Sequence, residues 1–279
     1  MSINSTVLVI GGDRRLSFLA EELTKSFRKV IAYTVPDQSI EKAFSLADII
    51  VAPVPFSRDR IHVFSEEQEK VTIQDFCRYL CPGQTLYAGN IPEEVQLEAV
   101  RKNITCRDFL KMEWVETENA LATAEGAVAQ AIALSVNNLH AGKCMVLGYG
   151  RCGKAIAKLL KQWQIDTTVA ARRESVLTAA EEEGYHTVLL ENISGKIADM
   201  RFIFNTIPSM VLTEGLIGVL EKDAVIIDIA SAPGGTDFAA CERAGITAVL
   251  SLGIPGRYSP KTSAEILLDA ILMEREEVV

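Results

Sequence analysis

The ten residues CMVLGYGRCG (144–153) join a short apolar run to glycines at 148, 150 and 153. An apolar run of this length, closed by glycine, reads as a buried strand. KAIAKLLKQW (154–163) follows it with the apolar spacing of a helix. In such a strand–turn–helix, the first glycine permits the tight turn and the second lets the backbone approach a pyrophosphate. The third lets the helix pack closely on the strand. Amides at the helix start then face the phosphates. Gly148, Tyr149, Gly150, Arg151, Cys152 and Gly153 are therefore the expected dinucleotide loop. The same six positions can also form a tight turn that holds nothing, so the surroundings have to decide.

Downstream, DTTVAAR (166–172) reads as the next strand and ends on Arg172-Arg173. Arg173 lies 20 residues after Gly153, where a ribose-binding carboxylate stands in NAD-specific units. A carboxylate there accepts from the ribose hydroxyls and repels a 2′-phosphate. Arginine inverts the preference, since a charge-assisted hydrogen bond contributes about 1.5–3 kcal/mol. The pair predicts NADP; the plainer alternative is two solvated surface arginines.

Working outward, apolar runs alternate with helical periods along almost the whole chain. In the N-terminal part TVLVIGG (6–12), KVIAYTV (29–35), ADIIVAPVP (47–55), QTLYAG (84–89) and NITCRDF (103–109) read as strands. Helices are expected over 16–27 and from Pro92. An Ala-rich helix, 119–139, leads into the second series, whose strands fall at 144–150, 166–172, 185–190, 201–207, 224–230 and 246–251. TSAEILLDAILMEREE (262–277) is an amphipathic closing helix, with Thr262 or Ser263 as its N-cap and Glu265 completing a capping box. The fold class expected is α/β: two doubly wound parallel-sheet domains, the second a Rossmann NADP-binding domain, with a cleft between them. The boundaries are 1–118 for the first domain and 119–279 for the linker helix, Rossmann domain and closing helix.

Bulk properties agree. The chain has 279 residues, 48% hydrophobic and 23% charged, as a well-cored protein has. Its net charge of −9 argues against nucleic acid as a partner. Met1–Ser5 is polar and runs into a strand, and no apolar run suggests a membrane span, so a cytoplasmic protein is expected. Six cysteines lie scattered; Cys77 and Cys81 have no second pair to complete a zinc site, and reduced thiols without a metal are expected.

Open parallel sheets bind ligands outside the carboxyl ends of their strands. In the second domain those ends carry Asn205-Thr206-Ile207-Pro208 and Asp228-Ile229-Ala230-Ser231-Ala232-Pro233-Gly234-Gly235. Asn205, Thr206, Ile207, Pro208 and Ala230 are candidate cofactor contacts, and Ser231 a candidate substrate contact. Asp228, inside an apolar strand, is read as structural. In the first domain Gly11-Gly12-Asp13-Arg14-Arg15 lacks the full glycine spacing; its Asp13 and arginines suit an anionic substrate. Glu125 in the linker helix, with Arg257 and Lys261 before the last helix, completes the substrate set. The three histidines, His62, His140 and His186, sit in unpromising contexts and none is expected to be the catalytic base.

VLGYGRCG, FNTIPSMVL, DIASAPGGTDF and GIPGRYSPKTSAEIL, with TAEGAV in the linker helix and VIGGDRR at the start, resemble the A subunit family of dipicolinate synthase. The resemblance spans the chain. It implies an NADP-dependent oxidation of dihydrodipicolinate to pyridine-2,6-dicarboxylate in the mother cell of sporulating bacteria. It also implies a partner B subunit that looks like a flavoprotein. Gly148–Gly153 and Arg172 match the family's cofactor loop and second strand end. Leu16 and Ala232 depart from it, standing where the family has an amide and an arginine, and Arg257 stands at an apolar family position where it restores the charge. Such a substrate needs a hydride acceptor, a route for one proton and cations for two carboxylates. It is expected between the domains, against the nicotinamide, with Arg14, Lys261 and Arg257 meeting its carboxylates. Two alternatives remain: another two-domain NADP dehydrogenase of the shikimate or amino-acid type, or a non-catalytic NADP sensor. Dehydrogenases of this plan are commonly homo-oligomers.

Overall fold

A computed structural model of the chain describes residues 3–33, 40–66 and 71–276. It divides into two compact units, Met1–Glu118 together with Ser259–Val279, and Asn119–Tyr258.

Among the described residues the first unit holds five strands: β1 (Ile3–Ile10), β2 (Phe27–Tyr33), β3 (Ile49–Val51), β4 (Thr85–Ala88) and β5 (Thr105–Asp108). They form one parallel sheet in the order β2-β1-β3-β4-β5. Between them run α1 (Arg14–Ser26), α2 (Ile40–Leu46), α3 (Ile73–Tyr79) and α4 (Glu93–Arg101). Successive side chains of β1 go to opposite faces. Val7 and Val9 join Leu16, Leu19 and Leu23 of α1, while Leu8 and Ile10 join Phe44 and Phe76 of α2 and α3. Both faces are covered, which is why these strands read as unbroken apolar runs. The sequence pattern missed α2 and α3, seven-residue helices of about two turns, shorter than the window over which helical periodicity is legible.

α5 (Glu113–Leu134) starts six residues before the boundary assigned to it, and leads to the second unit. There β6 (Lys143–Leu147), β7 (Thr167–Ala171), β8 (His186–Leu189), β9 (Met200–Asn205), β10 (Val225–Asp228) and β11 (Thr247–Leu250) make a parallel sheet ordered β11-β10-β9-β6-β7-β8. That is the strand order of a Rossmann sheet. Its helices are α6 (Arg151–Gln162), α7 (Glu174–Glu182), α8 (Glu214–Ile217) and α9 (Phe238–Ala244); two 3-10 stretches, Leu190–Gly195 and Ile197–Asp199, replace the helix after β8. A short helix, α10 (Ile254–Tyr258), contains Pro255 and Gly256, and the proline is tolerated because it lies in the first turn.

The last helix, α11 (Pro260–Glu276), corrects two expectations. It begins at Pro260, so Thr262 and Ser263 are first-turn residues rather than caps. It also belongs to the first unit, not the Rossmann domain that precedes it in sequence. Ala264, Leu267, Ala270 and Ile271 form its buried stripe and cluster with Leu16, Leu19 and Leu23 of α1. A stripe shows that a helix has a partner but not which partner.

A candidate dinucleotide site in the second unit

At the switch point of the second sheet, β6 and β9 are neighbours and their chains leave in opposite directions. The β6 strand ends in the glycine loop, and α6 starts at Arg151 with Gly150 as its N-cap. The three glycines have different causes. Gly148 has φ 92°, and a β-carbon on it would stand 2.3 Å from the Thr206 hydroxyl oxygen. A β-carbon on Gly153 would stand 2.2 Å from the Gly148 carbonyl oxygen. Both are demanded by the protein's own packing. Gly150 is not: its φ is −81°, and a β-carbon there would meet nothing within 4 Å. The bare backbone of Gly150 leaves open space in front of the N-terminus of a twelve-residue helix, which is the surface a pyrophosphate needs.

Several expected contacts are re-assigned. Tyr149 is buried, donates its hydroxyl to Glu183 at 3.0 Å and packs edge-on against Tyr185, so only its backbone remains for a ligand. Burial beside Glu183 pushes the phenol well above its ordinary range. Asn205 is wholly buried: its Nδ2 donates to the Ile207 carbonyl at 3.1 Å and its Oδ1 accepts from the Ile207 amide at 3.1 Å. Its side chain shapes the loop and does not reach out of it. The Thr206 hydroxyl donates to the Leu147 carbonyl at 2.9 Å, tying the β9 loop to the floor of the glycine loop. Ile207 and Ala230 are buried, whereas Pro208 and Ser231 are exposed. Asp228 is structural as expected: it accepts from the amides of Ala230 and Gly235 and from the Thr236 hydroxyl, at 3.0, 2.8 and 2.7 Å. Gly235 packs on the Ile207 and Ser209 carbonyls, where a β-carbon would come within 2.5 Å of each. This locks the β9 and β10 loops together beside the glycine loop.

Arg172, past the end of β7, lines a hollow of about 700 Å³ with Glu174, Leu189, Glu191, Met210 and Val211. Its walls combine apolar side chains with the charged Arg172, Glu174 and Glu191, and its volume lies in the range of small-ligand sites. Arg173 is the exposed N-cap of α7 and is not part of its lining. Glu191 and Met210 were missed in the sequence; the position of Glu191 just beyond the carboxyl end of β8 was the available signal.

The remaining substrate candidates lie on separate elements. In the second unit Glu125 is an exposed residue of α5, and Arg257 donates to the Ser251 hydroxyl at 2.5 Å, which donates in turn to Gln130 at 2.5 Å. In the first unit Lys261 is exposed in the first turn of α11, and Arg14 in the first turn of α1. Asp13 is corrected: it is buried, caps α1 through the Arg15 amide, and grips the buried Arg15 guanidinium at 2.9 and 2.8 Å. Its carboxylate serves the fold. Leu16 is core, packed on Gly12. Ala232 is exposed. His140 contacts the Trp163 carbonyl and His186 faces Asp166 at 3.8 Å on the surface. His62 has a closer carboxylate, with its Nδ1 2.7 Å from Asp59.

Residues 6–110 match the family described as the N-terminal domain of the dipicolinate synthase A subunit, and residues 111–233 match the NAD-binding domain of the D-isomer specific 2-hydroxyacid dehydrogenases. The chain is similar to the A subunit of dipicolinate synthase along nearly its whole length. The Bacillus subtilis (strain 168) A subunit of dipicolinate synthase is 28% identical over 284 residues, covering 95% of this chain and 94% of that one. The crystal structure of the dipicolinate synthase A subunit from Bacillus halodurans superposes with a TM-score of 0.84 at 24% identity, covering 98% of each chain. A transhydrogenase from Sinorhizobium meliloti shares the fold more distantly, with a TM-score of 0.65 at 16% identity over 95% of this chain and 93% of its own. The second unit is therefore a nicotinamide dinucleotide-binding domain, and the chain an oxidoreductase. No described helix is long and apolar enough to cross a membrane.

Proposed function

We propose that this chain catalyses the oxidation of dihydrodipicolinate to dipicolinate with NADP, as the A subunit of a dipicolinate synthase acting in the mother cell of a sporulating bacterium. The observation that carries the reading is its similarity to the Bacillus subtilis protein over 95% of its length, together with the match of residues 6–110 to the N-terminal domain of the dipicolinate synthase A subunit. The residues present fit the dinucleotide. Gly150 leaves room at the N-terminus of α6, and the hollow past β7 and β8 takes the adenosine side.

NADP is favoured over NAD by Arg172, a cation that lines that hollow just past the end of β7. One charge-assisted contact to a 2′-phosphate favours NADP by roughly tenfold to a hundredfold. A bound oxidised nicotinamide supplies the hydride acceptor. The protein's tasks are then to hold the dinucleotide phosphates on the Gly148–Gly153 backbone, to bind the substrate's carboxylates with cations, and to give one proton a way out. Formation of an aromatic ring drives the reaction. A homo-oligomeric state and a flavoprotein-like B subunit complete the proposal.

The test is direct ultraviolet detection of dipicolinate. The purified chain is supplied with aspartate semialdehyde and pyruvate through a dihydrodipicolinate-forming aldolase, with NADP⁺ or NAD⁺. Product with NADP⁺ and little with NAD⁺ is expected. No product with either, even in the presence of the B subunit, would sink the reading.

A further inference from the structure

The sheet of the second unit sets three of its strand ends in a row. β6 pairs with β7 and β7 with β8, all parallel, so neighbouring ends stand about 4.8 Å apart. A different group lies outside each end. The glycine loop follows β6, and Arg172 is the first residue past β7. Glu191 stands two residues past β8, in the 3-10 stretch Leu190–Gly195. All three belong to one compact unit. A dinucleotide carries its own groups in the same order: pyrophosphate, then the ribose with its 2′-phosphate, then the base. With the pyrophosphate on the loop after β6 and the 2′-phosphate on Arg172, the base falls one strand further out, at the end of β8.

Arg172, Glu174 and Glu191 line the same hollow of about 700 Å³. Their side chains make no hydrogen bond or ion pair with one another or with any other described residue. Other surface charges of this chain do pair, as Arg243 does with Glu214 at 2.7 Å. One unpaired cation and two unpaired carboxylates around a single concavity suit a ligand that brings both an anion and a hydrogen-bond donor. The rest of the lining is apolar: Leu189, Leu190 and Val211 are partly buried, and Met210 is exposed. An apolar wall with a few polar groups suits a planar heterocycle, and a thioether packs well against an aromatic ring. The two carboxylates differ in place. Glu174 opens helix α7, two residues after Arg172, on the ribose side; Glu191 lies a strand further along, on the base side.

We infer that Glu191 reads the base of the dinucleotide, accepting a hydrogen bond from the exocyclic amino group of adenine. The inference rests on the reading that this unit binds NADP. Adenine carries that donor on the six-membered ring, away from the ribose. Hypoxanthine has a carbonyl oxygen at the same position, which sets an acceptor against the carboxylate. A site that meets a donor rejects the analogue without it, because its own polar group then loses a partner. Glu191 is thus a specificity-determining residue for the base, as Arg172 is for the phosphate.

The experiment titrates the full chain, by fluorescence, with NADPH and with its deamino analogue, reduced nicotinamide hypoxanthine dinucleotide phosphate. The two share the fluorescent nicotinamide and differ only in the purine. The wild type should bind NADPH about tenfold more tightly than the analogue, the lower end for a charge-assisted contact because Glu191 is exposed. In Glu191→Gln, whose carboxamide both accepts and donates, the preference should vanish. Glu191→Ala should bind NADPH more weakly and the analogue no worse. Glu174→Gln should keep the preference, whatever it does to affinity. Equal binding of the two by the wild type, or an undiminished preference in both Glu191 variants, would overturn the base-reading role and leave NADP binding standing. A preference lost in Glu174→Gln but kept in the Glu191 variants would overturn it too. No saturable binding of NADPH by the wild type would overturn the NADP reading and the inference together.

Discussion

Gly153 packs so closely on Gly148 that a β-carbon on the first would stand 2.2 Å from the carbonyl oxygen of the second. Gly150, between them in sequence, faces open space. The two outer glycines serve the fold, and the middle one serves whatever approaches the loop.

These causes separate by substitution. Gly153→Ala forces helix α6 off the strand and should cost about 1–3 kcal/mol, as overpacking does. Gly150→Ala should stay within about 1 kcal/mol of the wild type, the scale of an N-cap change, yet bind NADPH at least tenfold more weakly. Thermal unfolding and fluorescence titration read the two effects. Equal NADPH affinity in Gly150→Ala would remove the pyrophosphate assignment.

Arg172 and Arg173 are adjacent in sequence but differ in surroundings, since of the two only Arg172 lines the hollow past β7. Arg172→Ala should weaken NADP binding by roughly tenfold to a hundredfold and leave NAD binding nearly as it was. Arg173→Ala should do less. Paired titrations with both dinucleotides decide it, and the reverse ranking would transfer the phosphate to Arg173.

The Asp13–Arg15 pair is buried and doubly hydrogen-bonded. Removing one member strands the other's charge in the interior. Asp13→Ala should therefore cost about 3–5 kcal/mol in urea unfolding. A variant that unfolds like the wild type but binds substrate poorly would return Asp13 to the substrate set.

Burial pushes the Cys144 thiol up to about 12 from an ordinary 9.0. The folded state thus keeps a proton that the unfolded chain sheds first, so the stability is complete below pH 9 and is lost between about 9 and 12. Cys144→Ala should flatten part of the fall in Tm over that range. A fall unchanged by the substitution would assign it to other groups, such as Cys77 and Cys241, both pushed up to about 11 mainly by burial.

The sequence by itself determined the α/β alternation, both parallel sheets and the glycine loop. Those features are local or periodic: a strand buried on both faces must be apolar throughout, and a close helix–strand contact must be glycine. It also marked Asp228 as structural, because a carboxyl group inside an apolar strand needs partners. Only the tertiary structure decided which partners long-range packing supplies. α11 follows the last Rossmann strand in sequence, yet it belongs to the first unit, where its apolar stripe is buried with α1. Asn205 and Tyr149 sit in ligand-like positions but are spent on Ile207 and Glu183. Asp59 and His62 are three residues apart in a loop with no motif, and the left-handed turn at Arg60 brings carboxylate to imidazole. Hydrophobic period records that a side chain is buried or exposed, whereas a hydrogen bond depends on where two atoms stand.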